Sequence, residues 1–350
     1  MVLAAPAITP SVVVRRPWSA RRAAPSSPHR YDPVVAPAPV PEVPPPIDDG
    51  LARPRDFDAR YGAGVRRALV LGGGGIVFVA WQLAYLRALQ ERGVPVGDAD
   101  RIVGTSAGSV VATIVASGRL RRAHFQVETL AKLPQLVAAM APAQDLRRSQ
   151  LVALEKFWAA DNDRPETIRE IGRAALAAVT PDVGTLPRSL QVVLARRRWP
   201  GPALQVTAVD AYSGERCVIT EAAGVPVHRA VAASSSVPGV FAPQPILDRR
   251  CMDGGAAGSG THPDLVAGAE RAVVLALTDH GDLGIATSAP GSFAQGIDAL
   301  RATGTRVTVH TSRLPADTML MDPREIPAAL ALGAQQGAED ADAIGAFLGP

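Results

Sequence analysis

Lysine is almost missing from this chain: of its 36 basic residues only Lys132 and Lys156 are lysines, and the rest are arginines. Aromatic residues make up 4% of the sequence. Without a basic face interleaved with stacking rings, the composition argues against nucleic acid as a partner. Cysteine is equally scarce. Cys217 and Cys251 stand alone, fit no metal-ligand spacing and cannot make a disulfide framework, which points to a reducing compartment. No run of about 18 apolar residues is free of charges and breakers, so no membrane span is expected. The apolar residues at the N-terminus are broken by Pro6 and Pro10, and arginines follow rather than precede them, so no secretory signal is expected either. The expectation is a cytoplasmic protein, and nothing in the sequence looks like a metal or cofactor site.

What is present is apolar bulk. Of 350 residues 47% are hydrophobic, enough for a sizeable core in one large domain or two ordinary ones. The prolines are uneven, with 13 of the 31 in residues 1–65. That stretch is rich in Ala, Pro and Arg and has no periodicity, and it reads as a disordered or polyproline-like tail. It holds eight Arg against six acids, a net +2 of the total +3, and residues 1–30 carry five Arg and no acid. Such a tail allows peripheral contact with an anionic membrane surface, or is simply solvated. The folded domain is expected over 66–350, with its motifs in 66–268 and closing elements in 269–350.

From residue 66 the pattern becomes that of an α/β protein. "RRALVLGGGGIVFVAWQLAYLRALQERGV" predicts a buried strand at 68–71, a four-glycine turn, a helix ending near Arg92 and Gly93 as its C-terminal cap. "VGDADRIVGTSAGSVVATIVASG" repeats the plan and ends at Gly118. Two strand–turn–helix units in succession predict a largely parallel sheet covered by helices, with sites at the carboxyl ends of its strands. Residues 119–198 read as a helical insertion, with Leu130, Leu133, Leu136, Val137 and Met140 at helical spacing, then Leu151, Leu154, Phe157 and Trp158. Two strands are expected within "LQVTAVDAYSGERCVIT", another at 272–277, one in "VTVHTSR" and a closing helix at 327–347.

Three motifs carry chemistry. Gly72 to Gly75, between a strand and a helix, present bare backbone N–H groups at a positive helix end, which suits a phosphate or the oxyanion of an acyl-transfer intermediate. Neither a dinucleotide fingerprint nor a G-K-[ST] ending accompanies them. Ser106 lies in G-T-S-A-G between Gly104 and Gly108. This is either a nucleophile elbow, whose strained turn tolerates only small neighbours, or a strand running into a Gly-containing loop. Asp253, followed by Gly254 and Gly255, is either a reactive carboxylate on an open turn or an Asx-type turn.

In this order, a Gly-rich loop, G-T-S-A-G and D-G-G, the sequence resembles the patatin-like phospholipase family. "GGGG…AW…L", "AVAASSSVPGVF" and "DGGAAGSGTHPDLV" agree, and the resemblance spans roughly residues 66 to 348. It implies a three-layer α/β/α fold with a mostly parallel central sheet, and a lipid acyl hydrolase with a Ser–Asp dyad. By motif, Ser106 would be the nucleophile, Asp253 the proton acceptor, and Gly73, Gly74 and Gly75 the oxyanion hole. Gly104, Gly108, Gly254 and Gly255 would shape the turns. The substrate would be a lipid or other acyl ester, with no metal. Where the family's loop continues with a basic or polar residue and then glycine, this chain has Val77 and Phe78. Those two are expected to line the substrate, with the Phe78 ring at the mouth of the site favouring uncharged esters. Two other readings stay open. One is an α/β-hydrolase triad completed by His262, His280 or His310; the other is a non-catalytic lipid- or phosphate-binding protein.

Overall fold

The computed structural model describes residues 49–133, 146–258, 260–277 and 291–349. In chain order, β1 (Arg67–Leu71), α1 (Gly75–Glu91), β2 (Arg101–Thr105) and α2 (Ala107–Ala116) form the two expected strand–turn–helix units. The helices α3 (Leu120–Ala131), α4 (Arg148–Trp158), α5 (Pro165–Ala177) and α6 (Thr185–Leu194) make up the described part of the insertion. Then come β3 (Leu204–Asp210), β4 (Arg216–Ile219), α7 (Val227–Ser234), β5 (Gln244–Ile246) and β6 (Arg249–Asp253). The described chain closes with β7 (Arg271–Ala276), α8 (Ser292–Ala302), β8 (Arg306–Thr311) and α9 (Ile326–Leu348). Leu136, Val137 and Met140 lie outside the described residues.

The strands show why this sheet is covered twice. In β1, Leu69 and Leu71 join one apolar cluster while Ala68 and Val70 join another. In β7, Val273 and Leu275 separate from Ala272 and Val274 in the same way. Side chains alternate between the two faces of a strand, so both faces are apolar and each must be buried under helices. One layer is α1, α2, α7 and α9, packed on the face of Leu69 and Leu71. The other includes α8, whose Ile297 and Leu300 pack with Val70 and Val274. The result is a three-layer α/β/α fold. Pairs β1–β2, β1–β7, β2–β3 and β7–β8 are parallel; β3–β4, β3–β6 and β5–β6 are antiparallel. Among the described residues no helix is long and apolar enough to cross a membrane.

The N-terminal boundary differs from the sequence expectation. Residues 49–65, assigned to the tail by composition, are built into the domain. Leu51 is buried in the main core, and Ala52 bridges Cys217 of β4. Asp49 pairs with the buried Arg249 at 3.1 Å, and Val65 packs with Val70. The partners of Asp49 and Ala52 lie far along the chain, so local composition carried no trace of them.

Candidate active site

Strand register brings two distant residues together. Thr207 of β3 pairs with Thr105 of β2 and with Val218 of β4; Ala208 pairs with Cys217 of β4 and with Asp253 of β6. A strand has two edges, so β4 occupies one, and β2 and β6 share the other end to end. The backbone agrees: Asp210 donates its N–H to Glu215 O toward β4 (2.9 Å), and Ala211 to Arg250 O toward β6 (2.7 Å). Since β2 is parallel to β3 and β6 antiparallel, their carboxyl ends meet. Ser106 follows one, and Asp253 ends the other.

At Ser106 the chain turns from β2 into α2 with φ 51° and ψ −119°. That conformation costs an L-residue about 1–3 kcal/mol and persists only where neighbours hold it. They do. Ser106 donates its N–H to Ser234 Oγ at 2.8 Å, and its carbonyl accepts from the Ser109 hydroxyl at 2.6 Å and the Ser109 N–H at 2.9 Å. The turn also sets the flanking residues. A Cβ on Gly108 would stand 2.0 Å from Leu71 O, and one on Gly104 2.6 Å from Ser109 Cα. Both glycines of G-T-S-A-G are therefore required by backbone approach.

Asp253 is 2% exposed and Ser106 7%. The Asp253 carboxylate accepts the Gly255 N–H on Oδ1 at 2.8 Å. Burial raises its pKa from 3.8 to about 6, while the Ser106 hydroxyl and the Gly255 N–H pull in the opposite direction. The hydroxyl is thus close enough to act on the carboxylate, but not in an ordinary hydrogen bond. Among the described residues Oδ2 has no hydrogen-bond partner. A Cβ on Gly254 would meet Thr207 O at 2.6 Å, so glycine lets this turn close onto the ends of β2 and β3.

The glycine loop passes directly over the serine. A Cβ on Gly73 would lie 3.2 Å from Ser106 Cβ and 3.9 Å from its Oγ. Gly73 itself directs its N–H to Gly260 O at 3.3 Å, and Gly72 to Leu275 O at 2.9 Å. Among the described residues the N–H groups of Gly74 and Gly75, at the start of α1, have no hydrogen-bond acceptor. Of the three expected donors, Gly73 is thus already engaged. Val77 and Phe78 correct the sequence reading more sharply. Both are 0% exposed, and the Phe78 ring stacks on Trp81 at 5.2 Å, beneath Gly74. They support the loop from the core and do not line an opening.

The two candidate histidines among the described residues are engaged by other partners. His262 Nε2 lies 3.0 Å from Gly254 O, and Nδ1 lies 3.4 Å from an Arg216 guanidinium nitrogen. A carbonyl can only accept and a guanidinium only donate, so the ring is neutral with its proton on Nε2. Burial first, and then Arg216, push its pKa down to about 3. Arg216 in turn makes a buried bidentate pair with Asp264, both contacts at 2.7 Å. His310 bonds Asp340 at 2.8 Å and Thr308 at 3.0 Å. His280 lies outside the described residues. Among those described, no group of three or more His, Cys, Asp or Glu is placed to hold a metal ion. The sequence reading missed Ser109 and Ser234. The run "AVAASSSVPGVF" carries Ser234, and Ser109 follows G-T-S-A-G directly, but nothing local assigns either a task.

A family model described as Patatin-like phospholipase matches residues 69–266. No curated protein matches the chain. Among solved structures, the type III effector protein ExoU is similar at 17% identity, over 81% of this chain and 54% of that one, with a TM-score of 0.32. VipD from Legionella pneumophila is similar at 13% identity, over 85% and 69%, with a TM-score of 0.34. Full-length ExoU from Pseudomonas aeruginosa, in complex with SpcU, is similar at 16% identity, over 80% and 53%, with a TM-score of 0.30. The chain spans about half the length of the ExoU chains it matches.

Proposed function

The chain belongs to the patatin-like phospholipase family, and on that premise we propose that it is a serine acyl hydrolase cleaving carboxylic esters of lipids through Ser106 and Asp253. The observation that carries this reading is the buried Asp253 carboxylate. It has one oxygen held by Gly255, a pKa raised to about 6, and the Ser106 hydroxyl within its influence. A carboxylate of ordinary pKa is a poor base near neutrality, and desolvation makes this one stronger while leaving it ionised. His262, with both ring nitrogens engaged and a pKa near 3, offers Ser106 no base, which favours the dyad over a triad.

In the proposed reaction Asp253 takes the Ser106 hydroxyl proton as Oγ bonds to the acyl carbon. The carbonyl electron pair moves to oxygen, and that oxyanion is held by the Gly74 and Gly75 N–H groups at the positive end of α1. Collapse breaks the ester C–O bond, and the leaving alcohol takes the proton from Asp253. Water then attacks the acyl-serine, giving a proton to Asp253, which returns it to Ser106 as the acid departs. A positioned general base is worth about 10²–10⁴-fold and each oxyanion donor about 10²–10³-fold in reactions of this type. We assign the five arginines of residues 1–30 to contact with an anionic lipid surface.

The test is fluorophosphonate labelling of the purified chain, with the modified residue located by mass spectrometry, beside turnover of p-nitrophenyl esters and phospholipid vesicles. Labelling at Ser106 that Ser106→Ala abolishes, together with ester turnover, is the expected result. No labelling and no turnover would leave a binding protein.

A further inference from the structure

We infer that residues 234–236, at the C-terminal end of α7, form a strap that sets the spacing of the two reacting side chains, with Ser234 as a positioning residue for Ser106. The inference rests on the hydrolase reading above and goes beyond it. Each end of the strap holds a different partner. Ser234 Oγ accepts the Ser106 N–H at 2.8 Å, and two residues later Ser236 O accepts the Asp253 N–H at 3.0 Å. Between them the Ser235 hydroxyl reaches the Ser106 carbonyl at 3.4 Å. One short segment therefore grips both peptides of the candidate dyad.

The strap is itself well anchored. Ser236 Oγ donates to Ala232 O at 2.8 Å, and the N–H groups of Ser235 and Ser236 return to carbonyls of α7. Ser234 and Ser236 are fully buried, and α7 packs Val227 and Ala230 to Ala233 into the main core. The positive φ at Ser106 gives this a purpose. Ser106 precedes the first turn of α2, where peptide N–H groups have no intrahelical acceptor, so among the described residues this buried donor is satisfied by Ser234 Oγ. Losing that acceptor would favour relaxation of the turn and move Oγ away from Asp253. Serine suits the position because it is small enough for a closed site and its oxygen accepts a backbone N–H.

The test compares Ser234→Ala and Ser234→Cys with the wild-type full chain on a soluble ester. Cysteine keeps a side chain of similar size but is a weak acceptor, and it supplies the measurement if the alanine variant does not fold. Each variant is expected to lose about 10- to 100-fold in kcat, the scale of an ångström-sized misplacement, with KM within about two-fold. Fluorophosphonate labelling of Ser106 should slow in parallel, with the melting temperature lowered by about a few degrees and unfolding still cooperative. Wild-type kcat and labelling rate in a folded variant would overturn the strap and leave the hydrolase reading standing. A wild-type chain that does not label would overturn both.

Discussion

His262 donates its Nε2–H to the carbonyl of Gly254, the residue after Asp253, across 3.0 Å. The imidazole nearest in sequence to the candidate base therefore holds the D-G-G turn in place, and its other nitrogen faces the Arg216–Asp264 pair. A histidine so placed acts on the reaction only through the turn it supports.

The rate of ester hydrolysis should follow the Asp253 carboxyl. It must be ionised to accept a proton, so kcat/KM should rise with pH through about 6 and then level off. Ser106→Ala and Asp253→Asn should each remove nearly all activity. His262→Gln and His310→Gln should keep the same rising limb, because neither ring supplies the base. A pH–rate profile of each protein on an uncharged ester checks this. Disappearance of the limb in folded His262→Gln would restore the triad.

Asp253→Asn should make the protein more stable at neutral pH. Burial raises the folded-state pKa from 3.8 to about 6. Below pH 3.8 the carboxyl is neutral in both states and carries no penalty. As pH rises from there to about 6 the unfolded chain ionises first, and stability is lost. Above about 6 the full penalty, about 3 kcal/mol for such a shift, is present. Asparagine escapes it and still accepts the Gly255 N–H. Denaturation at pH 4 and pH 7.5 should show almost no gain at the lower value and the full gain at the higher.

Deleting residues 1–60 should destabilise the domain. The cut removes Leu51 from the core, the Ala52–Cys217 bridge and the Asp49 partner of the buried Arg249. Arg249 keeps Glu215 at 3.1 Å, so the loss comes from the Asp49 contacts and from the apolar surface of Leu51, whose burial is worth about 1.5–3 kcal/mol. Circular-dichroism melting of the truncated and full-length chains measures the loss, and unchanged melting would show that these contacts are dispensable.

Phe78→Ala should act on stability before specificity. Its ring is fully buried between Trp81 and the Gly74 loop, so truncation opens a core cavity, at about 3–5 kcal/mol. Kinetics on an acyl chain-length series should keep their profile while urea denaturation shifts to lower concentration. A profile broadened toward bulky esters would return Phe78 to the substrate.

By itself the sequence determined the local geometry. Apolar runs at residues 68–71 and 272–276 are buried strands because such short stretches, apolar on both faces, suit a sheet covered on both sides. Gly104 and Gly108 announce a tight turn around Ser106, and Gly254 one after Asp253, because only glycine lets the backbones approach so closely. Those constraints act within a few residues of chain and leave their mark in residue choice. Tertiary structure alone decided what meets across the fold. That β2 and β6 share one edge of β3, bringing Ser106 against Asp253, depends on strand order and direction. That Ser234 accepts the Ser106 N–H depends on where α7 ends, 128 residues away in sequence. Composition also hid the domain boundary, since Asp49 finds its partner Arg249 across 200 residues. The same holds for Phe78: a helix start beside a site reads alike whether its ring faces substrate or core, and the layer packed against it settles the difference.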